Sequence, residues 1–190
     1  YIKRTVATEY KKQGRGGRGS RGSQTRDEDF IEDLFVASTH NYLLFFTELG
    51  KCYWLKVHQI PEGTKASKGR AIQNLISLPP EDKVRAFMTV PNLSDEEFLN
   101  NHYIMFCTKK GVVKKTVLEA FSRPRENGII AISINEGDML LEAKLTDGDS
   151  DILLAAQSGR AIRFHEKNVR SMGRTAAGVR GITLAGNEDE

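Results

Sequence analysis

Lys109-Lys110-Gly111-Val112-Val113-Lys114 is the stretch that decides the fold, because its pattern recurs along the chain. It follows an apolar run, Tyr103–Cys107, and opens a second run that carries cations. Glycine reaches the positive φ angles of tight hairpin turns, and β-branched and aromatic residues favour extended backbone. The stretch therefore predicts a β-hairpin that turns at Gly111.

This hairpin pattern occurs three times along the chain. The turn glycines are Gly50, Gly111 and Gly159, and a second glycine follows each of them at Gly69, Gly128 and Gly178. We call the three repeats the Gly50, Gly111 and Gly159 units. Their turn glycines lie 61 and 48 residues apart, which is enough chain for four strands per unit. Such a tandem array predicts an all-β protein with radially arranged blades.

Short apolar runs mark further elements of the Gly50 unit. The strands predicted there are Leu34–Ser38, Tyr42–Thr47 and Cys52–Val57. The best helix candidate is short and begins with the capping-box pattern Ser94-Asp95-Glu96-Glu97. The opening residues, Tyr1–Thr5, resemble Val112–Thr116, so we expect the chain to begin just after a turn glycine, as a fragment of a longer protein.

A glycine- and arginine-rich stretch, Gln13–Gly22, lacks any side chain suited to a hydrophobic core. It contains three arginines and five glycines. Glycine lets the backbone approach a ligand closely, and the planar guanidinium group suits the geometry of phosphate. We therefore predict that this stretch contacts nucleic acid.

The positive charge is concentrated at the same end of the chain. Residues 1–26 carry eight basic side chains against Glu9 alone, a net charge of +7, whereas the whole chain has a net charge of only +3. Residues 27–190 therefore have a net charge of −4. A local excess of this kind favours a binding site for a polyanion over a uniformly basic surface.

Further cations recur beside the glycine turns and loops, whereas acidic residues lie between the units. We predict that these cations form a basic rim composed of Lys3, Arg4, Lys51, Lys68, Arg70, Lys109, Lys110, Lys114, Lys115, Arg123, Arg125, Arg160, Arg163, Arg170, Arg174 and Arg180. The alternative is that they are ordinary solvated charges of a repeat protein. Their recurrence at matching positions favours a nucleic-acid track.

Other classes of site have little support in the sequence. The four histidines are scattered without ligand spacing, and two cysteines do not make a zinc site. Cys52 and Cys107 are predicted to be buried, reduced thiols of a cytosolic protein. Gly17–Gly22 satisfies the dinucleotide pattern G-x-G-x-x-G, but that motif needs a strand before it and a helix after it. No apolar run approaches the roughly 18 residues of a membrane span.

Two binding alternatives stay open from the residues alone. One is a disordered Arg/Gly segment that binds RNA, and the other is a protein-binding propeller with an incidental basic arm. Neither predicts matched basic loops downstream of the Arg/Gly stretch.

The chain resembles the C-terminal domain of the A subunit of bacterial DNA gyrase, a type II topoisomerase. That family has a Gln-Arg-Arg-Gly-Gly-(Lys/Arg)-Gly box in its first blade. The corresponding residues are Gln13, Gly14, Arg15, Gly16, Gly17, Arg18 and Gly19, and Gly14 stands where the family usually has a basic residue. Other matching segments are Leu34–His40, Gly111–Thr116 and Val169–Ile182.

This resemblance implies a β-pinwheel, a propeller-like disc of about six four-stranded blades that exchange strands. The chain would supply roughly three to four of them. Residues 1–26 would end a truncated first blade carrying the box, and residues 27–190 would form the following blades of the same domain. The resemblance also implies sequence-independent wrapping of duplex DNA around a basic rim, so that gyrase introduces negative supercoils with ATP.

The resemblance further implies the partners and the setting. The partners would be double-stranded DNA, the gyrase B protein and the N-terminal part of the gyrase A protein, in the bacterial cytoplasm. The chain itself would be non-catalytic and need no cofactor, because ATP and Mg²⁺ act elsewhere in the holoenzyme. The alternative within the family is the C-terminal domain of the C protein of topoisomerase IV, which wraps DNA more weakly and lacks a complete box.

Overall fold

A computed structural model describes residues 1–10, 15–17, 22–25 and 30–186. The strands in these ranges are β1 (Tyr42–Thr47), β2 (Lys51–Lys56), β3 (Val84–Val90), β4 (Tyr103–Thr108), β5 (Val112–Val117), β6 (Ile129–Ile130), β7 (Leu140–Thr146), β8 (Asp151–Ala155), β9 (Ala161–His165) and β10 (Val179–Arg180). One α-helix, α1 (Glu96–Asn101), accompanies them in the described part of the chain. The all-β prediction is therefore confirmed.

The three predicted hairpins are present and share one turn geometry. Gly50, Gly111 and Gly159 join β1 to β2, β4 to β5 and β8 to β9, with φ angles of 79°, 79° and 81°. A threonine hydroxyl supports the first two turns: Thr47 accepts from the N–H of Lys51, and Thr108 accepts from that of Val112. Left-handed backbone at these positions accounts for the recurring glycine.

The second glycines Gly128 and Gly178 directly precede β6 and β10, each of which completes the sheet of the preceding unit, and Arg70 after Gly69 forms a single bridge with Ile2. The two four-stranded sheets have the orders β3-β1-β2-β6 and β10-β5-β4-β7. A Cβ at Gly128 would lie 2.9 Å from the Cys52 carbonyl oxygen, and one at Gly178 would lie 2.5 Å from that of Val113. Glycine therefore lets β6 and β10 approach β2 and β5, and neighbouring units exchange strands.

The hydrophobic cores lie between successive units. Phe46 of β1 packs edge-on against Phe106 of β4, with ring centroids 5.2 Å apart. A second cluster joins the opening residues to the outer face of β1 and β2, and a third joins β4 and β5 to β8. Each boundary between units is thus lined by buried apolar side chains, which fix the loops that emerge beside it.

The predicted strand Leu34–Ser38 is wrong. The segment has no strand pairing in the described structure, and Leu34 and Val36 are 78% and 92% exposed. Its place before a hairpin corresponds to β3 and β7, which pair with the first strands of the preceding hairpins, β1 and β4. Within the described residues, no strand occupies that position beside Leu34–Ser38. A short apolar run alone does not supply a strand partner.

Two smaller predictions are confirmed with changes of detail. The short helix exists, but its N-cap is Asp95, whose carboxylate accepts from the Phe98 N–H at 3.0 Å, and not the predicted Ser94. Both cysteines are free thiols. Cys52 is buried, whereas Cys107 is only partly buried.

Candidate nucleic-acid interface

The first group of predicted rim cations lies at the hairpin turns. Lys110 is exposed; its N–H donates to Asp138 at 3.0 Å, and its Nζ donates to the Glu136 carbonyl at 3.1 Å. Lys109, directly before it, is partly buried, as is Lys51 at the start of β2. These contacts hold the Lys110 ammonium group at the surface of the turn.

The second group lies on the loops that lead to the second glycines and on the short strands after them. Six cations of this group are exposed: Lys68, Arg70, Arg123, Arg125, Arg170 and Arg180. The seventh, Arg174, is partly buried. Each loop is anchored where its glycine packs on the preceding unit. The cations are therefore carried at the boundaries between units, as the repeat predicts.

The loops of neighbouring units contact each other directly. Ser133, which follows β6, donates through its hydroxyl to the Thr175 carbonyl at 2.7 Å and through its N–H to the Ala176 carbonyl at 3.2 Å. The Arg174 guanidinium group donates to the Ile130 carbonyl at 3.3 Å, and Ile130 is the partner of Lys51 across the β2–β6 pair. The structure thus brings Lys51 and Arg174 to one edge.

Two predicted rim cations are buried instead. The side chain of Lys114 is inaccessible to solvent, and its Nζ donates to the Ala131 and Arg174 carbonyls at 2.7 and 2.5 Å. Burial, reinforced by the charge of Arg174, lowers the pKa of Lys114 to about 8. Lys115 donates to the Glu166 carbonyl at 2.8 Å and lies 3.8 Å from its buried carboxylate. Both lysines hold units together, so the rim prediction is wrong for them.

Lys3 and Arg4, which correspond to Lys114 and Lys115, are also occupied internally. The three N–H donors of the Lys3 ammonium group reach the carbonyls of Thr64, Lys65 and Ser67 at 3.1, 3.1 and 2.7 Å. Burial lowers the pKa of Lys3. Arg4 pairs with Glu62 at 2.8 Å. These donors are used within the protein, and we remove both residues from the proposed rim.

The β8–β9 hairpin exposes both of its predicted rim cations. Arg160 and Arg163 are both exposed, and Arg163 forms an ion pair with Asp151 across the β8–β9 hairpin. The guanidinium group of Arg163 is therefore shared between that carboxylate and solvent. A phosphate would have to compete with Asp151 for it.

Only part of the predicted box is described by the structure. Arg15, Gly16 and Gly17 are exposed, and Gly16 has a φ of 78°. A Cβ at Gly16 would have no atom within 4 Å. The other box residues, Gln13, Gly14, Arg18 and Gly19, lie outside the described residues.

Sequence reasoning missed Lys65, which lies at the base of the Arg/Gly stretch. Its side chain is partly buried and its Nζ lies 4.5 Å from the centre of the Tyr10 ring. The signal was available, because Lys65 stands four residues before Gly69 just as Arg174 stands four residues before Gly178.

Two features are absent from the described ranges. They contain no group of three or more His, Cys, Asp or Glu side chains placed to hold a metal ion. They also contain no helix long and apolar enough to cross a membrane.

Units that close each other's sheets and carry exposed cations at their boundaries define a β-pinwheel, a strand-exchanging kind of propeller. The chain belongs to the DNA gyrase C-terminal domain family: the model of that family, described as a beta-propeller, matches residues 1–38, 41–91, 102–147 and 150–190. These four segments correspond to the opening residues and the three hairpin units. The unmatched residues 92–101 contain α1.

Relatives agree with this assignment. The DNA gyrase A protein of Clostridium acetobutylicum is 46% identical over 181 residues, which are 95% of this chain and 21% of that protein. The Salmonella typhimurium protein of the same name is 44% identical over 188 residues, 99% of this chain and 21% of that protein. The chain therefore spans about a fifth of the length of these relatives.

Two solved domains share the fold over the whole chain. The C-terminal domain of a DNA topoisomerase IV has a TM-score of 0.78 at 28% identity, with 55% of that domain's chain covered. A DNA gyrase A C-terminal domain has a TM-score of 0.74 at 26% identity, with 59% of its chain covered.

Proposed function

We propose that this chain binds duplex DNA without reading its sequence and bends it around the edge where the unit loops meet. The observation that supports this most directly is the contact of the Arg174 loop with Ile130 of β6 and with Ser133, which lies close behind β6, because this contact places Arg174 beside Lys51 of the neighbouring sheet. The proposed contact residues are Arg15 and Arg18 of the box, together with Lys51, Lys68, Arg70, Lys109, Lys110, Arg123, Arg125, Arg160, Arg163, Arg170, Arg174 and Arg180.

The energetic requirement is that many phosphate contacts together exceed the cost of bending. Bending a short duplex by 40–90° costs on the order of 1–6 kcal/mol. Neutralising phosphates releases condensed counterions, which supplies affinity that does not depend on base sequence. Exposed arginines spread over several units suit this task better than a single deep pocket.

We further propose that this chain acts within DNA gyrase, because its relatives are A proteins of that enzyme. Wrapped DNA would be presented to the holoenzyme, which would introduce negative supercoils with ATP in the bacterial cytoplasm. The gyrase B protein and the N-terminal part of the gyrase A protein would be its protein partners. ATP and Mg²⁺ would act in those parts, and this region would require neither.

A topology assay tests the wrapping proposal. A plasmid is relaxed by a nicking-closing enzyme in the presence of increasing amounts of the chain, and the sign of the trapped writhe is read on a gel. We expect writhe of one sign that grows with protein and is lost with Arg15→Ala plus Arg18→Ala. Unchanged topology with the unsubstituted chain would overturn the proposal.

A matched charge variant shows whether position or net charge is responsible. Lys144 is exposed on β7, where its Nζ lies 3.3 Å from Oε2 of Glu142. Lys144→Ala together with Lys83→Ala removes the same charge as the box variant but lies outside the proposed loops. These substitutions should leave the writhe unchanged. Equal losses in both variants would favour nonspecific attraction to DNA.

The binding alternatives separate in the same experiment. Retention of single-stranded RNA in preference to duplex DNA would favour the Arg/Gly RNA-binding function. Binding of duplex DNA with little trapped writhe would favour the topoisomerase IV type of domain. Salt dependence gives the number of phosphate contacts, because the slope of log K against log salt is about −0.9 per phosphate on duplex DNA.

A further inference from the structure

The structure assigns a positioning role to a cluster that we call the Lys65 junction, formed by Glu9, Tyr10, Gly22, Gln24 and Lys65. We propose that it fixes both ends of the Arg/Gly stretch against the cationic loop of the Gly50 unit, so that stretch and loop meet DNA as one surface. This inference rests on the proposed function and names the residues that prepare the box for it.

The two ends of the stretch are joined to each other. Residues Ala7–Glu9 form a 3₁₀ turn, and the Tyr10 N–H donates to the Ala7 carbonyl at 3.0 Å. That turn directs the Tyr10 hydroxyl to the Gly22 carbonyl, to which it donates at 2.9 Å. Tyr10 lies just before the Arg/Gly stretch and Gly22 is its last residue, so this hydrogen bond joins the two ends. We call the Tyr10–Gly22 contact the neck of the stretch.

Both ends are also fastened to Lys65. On the outgoing side, the Glu9 carboxylate accepts from the Lys65 N–H at 3.2 Å. On the returning side, the Gln24 N–H donates to the Lys65 carbonyl at 2.9 Å. The Lys65 ammonium group lies over the Tyr10 ring, which adds a cation–π contact. One residue of the Gly50 unit's loop is thus bonded on both sides of the neck.

The repeat separates this junction from ordinary packing. Lys3 donates to the Lys65 carbonyl, and in the corresponding place Lys114 donates to the Arg174 carbonyl. That lysine tether is common to both boundaries. The contacts from Glu9, Tyr10 and Gln24 are additional, and among the described residues they occur at the boundary that carries the Arg/Gly stretch.

Holding the neck has a direct consequence for binding. A glycine-rich segment has a large conformational entropy to lose when it is ordered on a ligand. Fixing its two ends beforehand lowers that cost and strengthens binding without any added contact to DNA. The junction should therefore act only through the box arginines.

Substitution of Glu9 distinguishes positioning from charge. Glu9→Ala removes the acceptor for the Lys65 N–H, and it also removes a negative charge near the DNA. A pure charge effect would tighten DNA binding, whereas positioning predicts affinity weaker by about two- to tenfold, the range expected for one hydrogen bond. Glu9→Gln keeps an acceptor oxygen and should restore most of the affinity.

Tyr10→Phe tests the other half of the neck. It removes the hydroxyl that reaches Gly22 but keeps the ring under Lys65, and we expect a similar two- to tenfold loss. The control is Glu62→Ala, which removes a carboxylate from the same loop, where it pairs with Arg4, and should not weaken binding. Dissociation constants on a linear duplex and unfolding temperatures are measured for every variant.

A double-mutant cycle decides whether the junction works through the box. The effects of Glu9→Ala and Tyr10→Phe should disappear in a chain that carries Arg15→Ala and Arg18→Ala. Equal losses with and without the box arginines would overturn the inference, as would tighter binding by Glu9→Ala. If the box substitutions alone leave affinity unchanged, it is the proposed role of the box that fails.

Discussion

The β4–β5 and β8–β9 hairpins share a turn but differ in their surroundings. Gly111 and Gly159 have φ angles of 79° and 81°. The β4–β5 hairpin is flanked by β7 and β10, and we call it the closed hairpin; β8 and β9 form a two-stranded sheet in the described structure, and we call them the open hairpin. A Cβ at Gly111 would lie 2.8 Å from the Ile182 carbonyl oxygen, whereas one at Gly159 would have no atom within 4 Å.

The cations of the two hairpins follow this difference. Lys115 and Arg163 each stand four residues after a turn glycine. Lys115 is buried beside Glu166, while Arg163 is exposed and pairs with Asp151. The position of a cation within the hairpin is therefore insufficient to assign it to a DNA-binding surface. What decides its exposure is whether a neighbouring unit packs over the hairpin.

The largest effect should come from breaking the buried pair. Lys115→Ala removes the cation beside the Glu166 carboxylate and leaves the hydrogen bonds that this group accepts from Thr146 and Ser150, at 2.9 Å each. An uncompensated buried charge destabilises by about 3–5 kcal/mol. Urea unfolding measures the loss of unfolding free energy. Arg163→Ala is the matched variant in the open hairpin and should have a far smaller effect. Equal losses would contradict the comparison.

The turn glycines should differ in the same direction. Alanine at either position costs about 1–2 kcal/mol for left-handed backbone. At Gly111 the methyl group also collides with Ile182, and overpacking adds about 1–3 kcal/mol. The free energy of unfolding should therefore fall more for Gly111→Ala than for Gly159→Ala. A larger loss at Gly159 would show that the open hairpin is covered in solution.

The sequence predicted what is local and repeated. Turn glycines at Gly50, Gly111 and Gly159, and the closing glycines after them, follow from backbone geometry that other residues rarely adopt. Burial of Lys114 could not be predicted, because it depends on carbonyls at Ala131 and Arg174 that lie 17 and 60 residues away. The fastening of Glu9 to Lys65 could not be predicted for the same reason, because the two residues lie 56 positions apart in the sequence.

Lys114 makes the stability of the closed hairpin depend on pH. The corresponding residue of the open hairpin, Ile162 in β9, does not titrate. Because burial lowers the pKa of Lys114 to about 8 from its ordinary 10.5, the unfolded chain binds more protons than the folded chain between these values. The contribution of Lys114 to stability therefore increases with pH in that window, by about 1 kcal/mol between pH 8 and pH 9.

Comparison of the unsubstituted chain with Lys114→Met isolates this contribution. The difference in unfolding free energy between them should shift in favour of the unsubstituted chain as pH rises from 7 to 9. Lys144→Met, on the exposed side of β7, serves as the control and should give a difference that stays constant. A constant difference for Lys114→Met would mean that its ammonium group is solvated in the folded protein.

The smallest effects concern the two thiols. Cys52 reports on the core between the Gly50 and Gly111 units, and Cys107 reports on the cluster between the closed and open hairpins. Burial, with the charges of Asp138 and Glu142, raises the pKa of Cys107 to about 11. Burial also raises the pKa of Cys52 well above its ordinary value. Since the thiolate is the reacting species, a pKa of about 11 in place of about 9 lowers the reactive fraction at pH 8 about a hundredfold.

Cys107 packs against the cluster that contains Leu154 of β8, whereas Cys52 lies in the core between the Gly50 and Gly111 units. A disulfide reagent at pH 8 should therefore modify Cys107 slowly and Cys52 more slowly still. Leu154→Ala should accelerate modification of Cys107 alone, because it loosens only the packing of the open hairpin. If Leu154→Ala accelerated the modification of both thiols equally, the two cores would open together. The two hairpins would then differ in their average packing but not in how often they open.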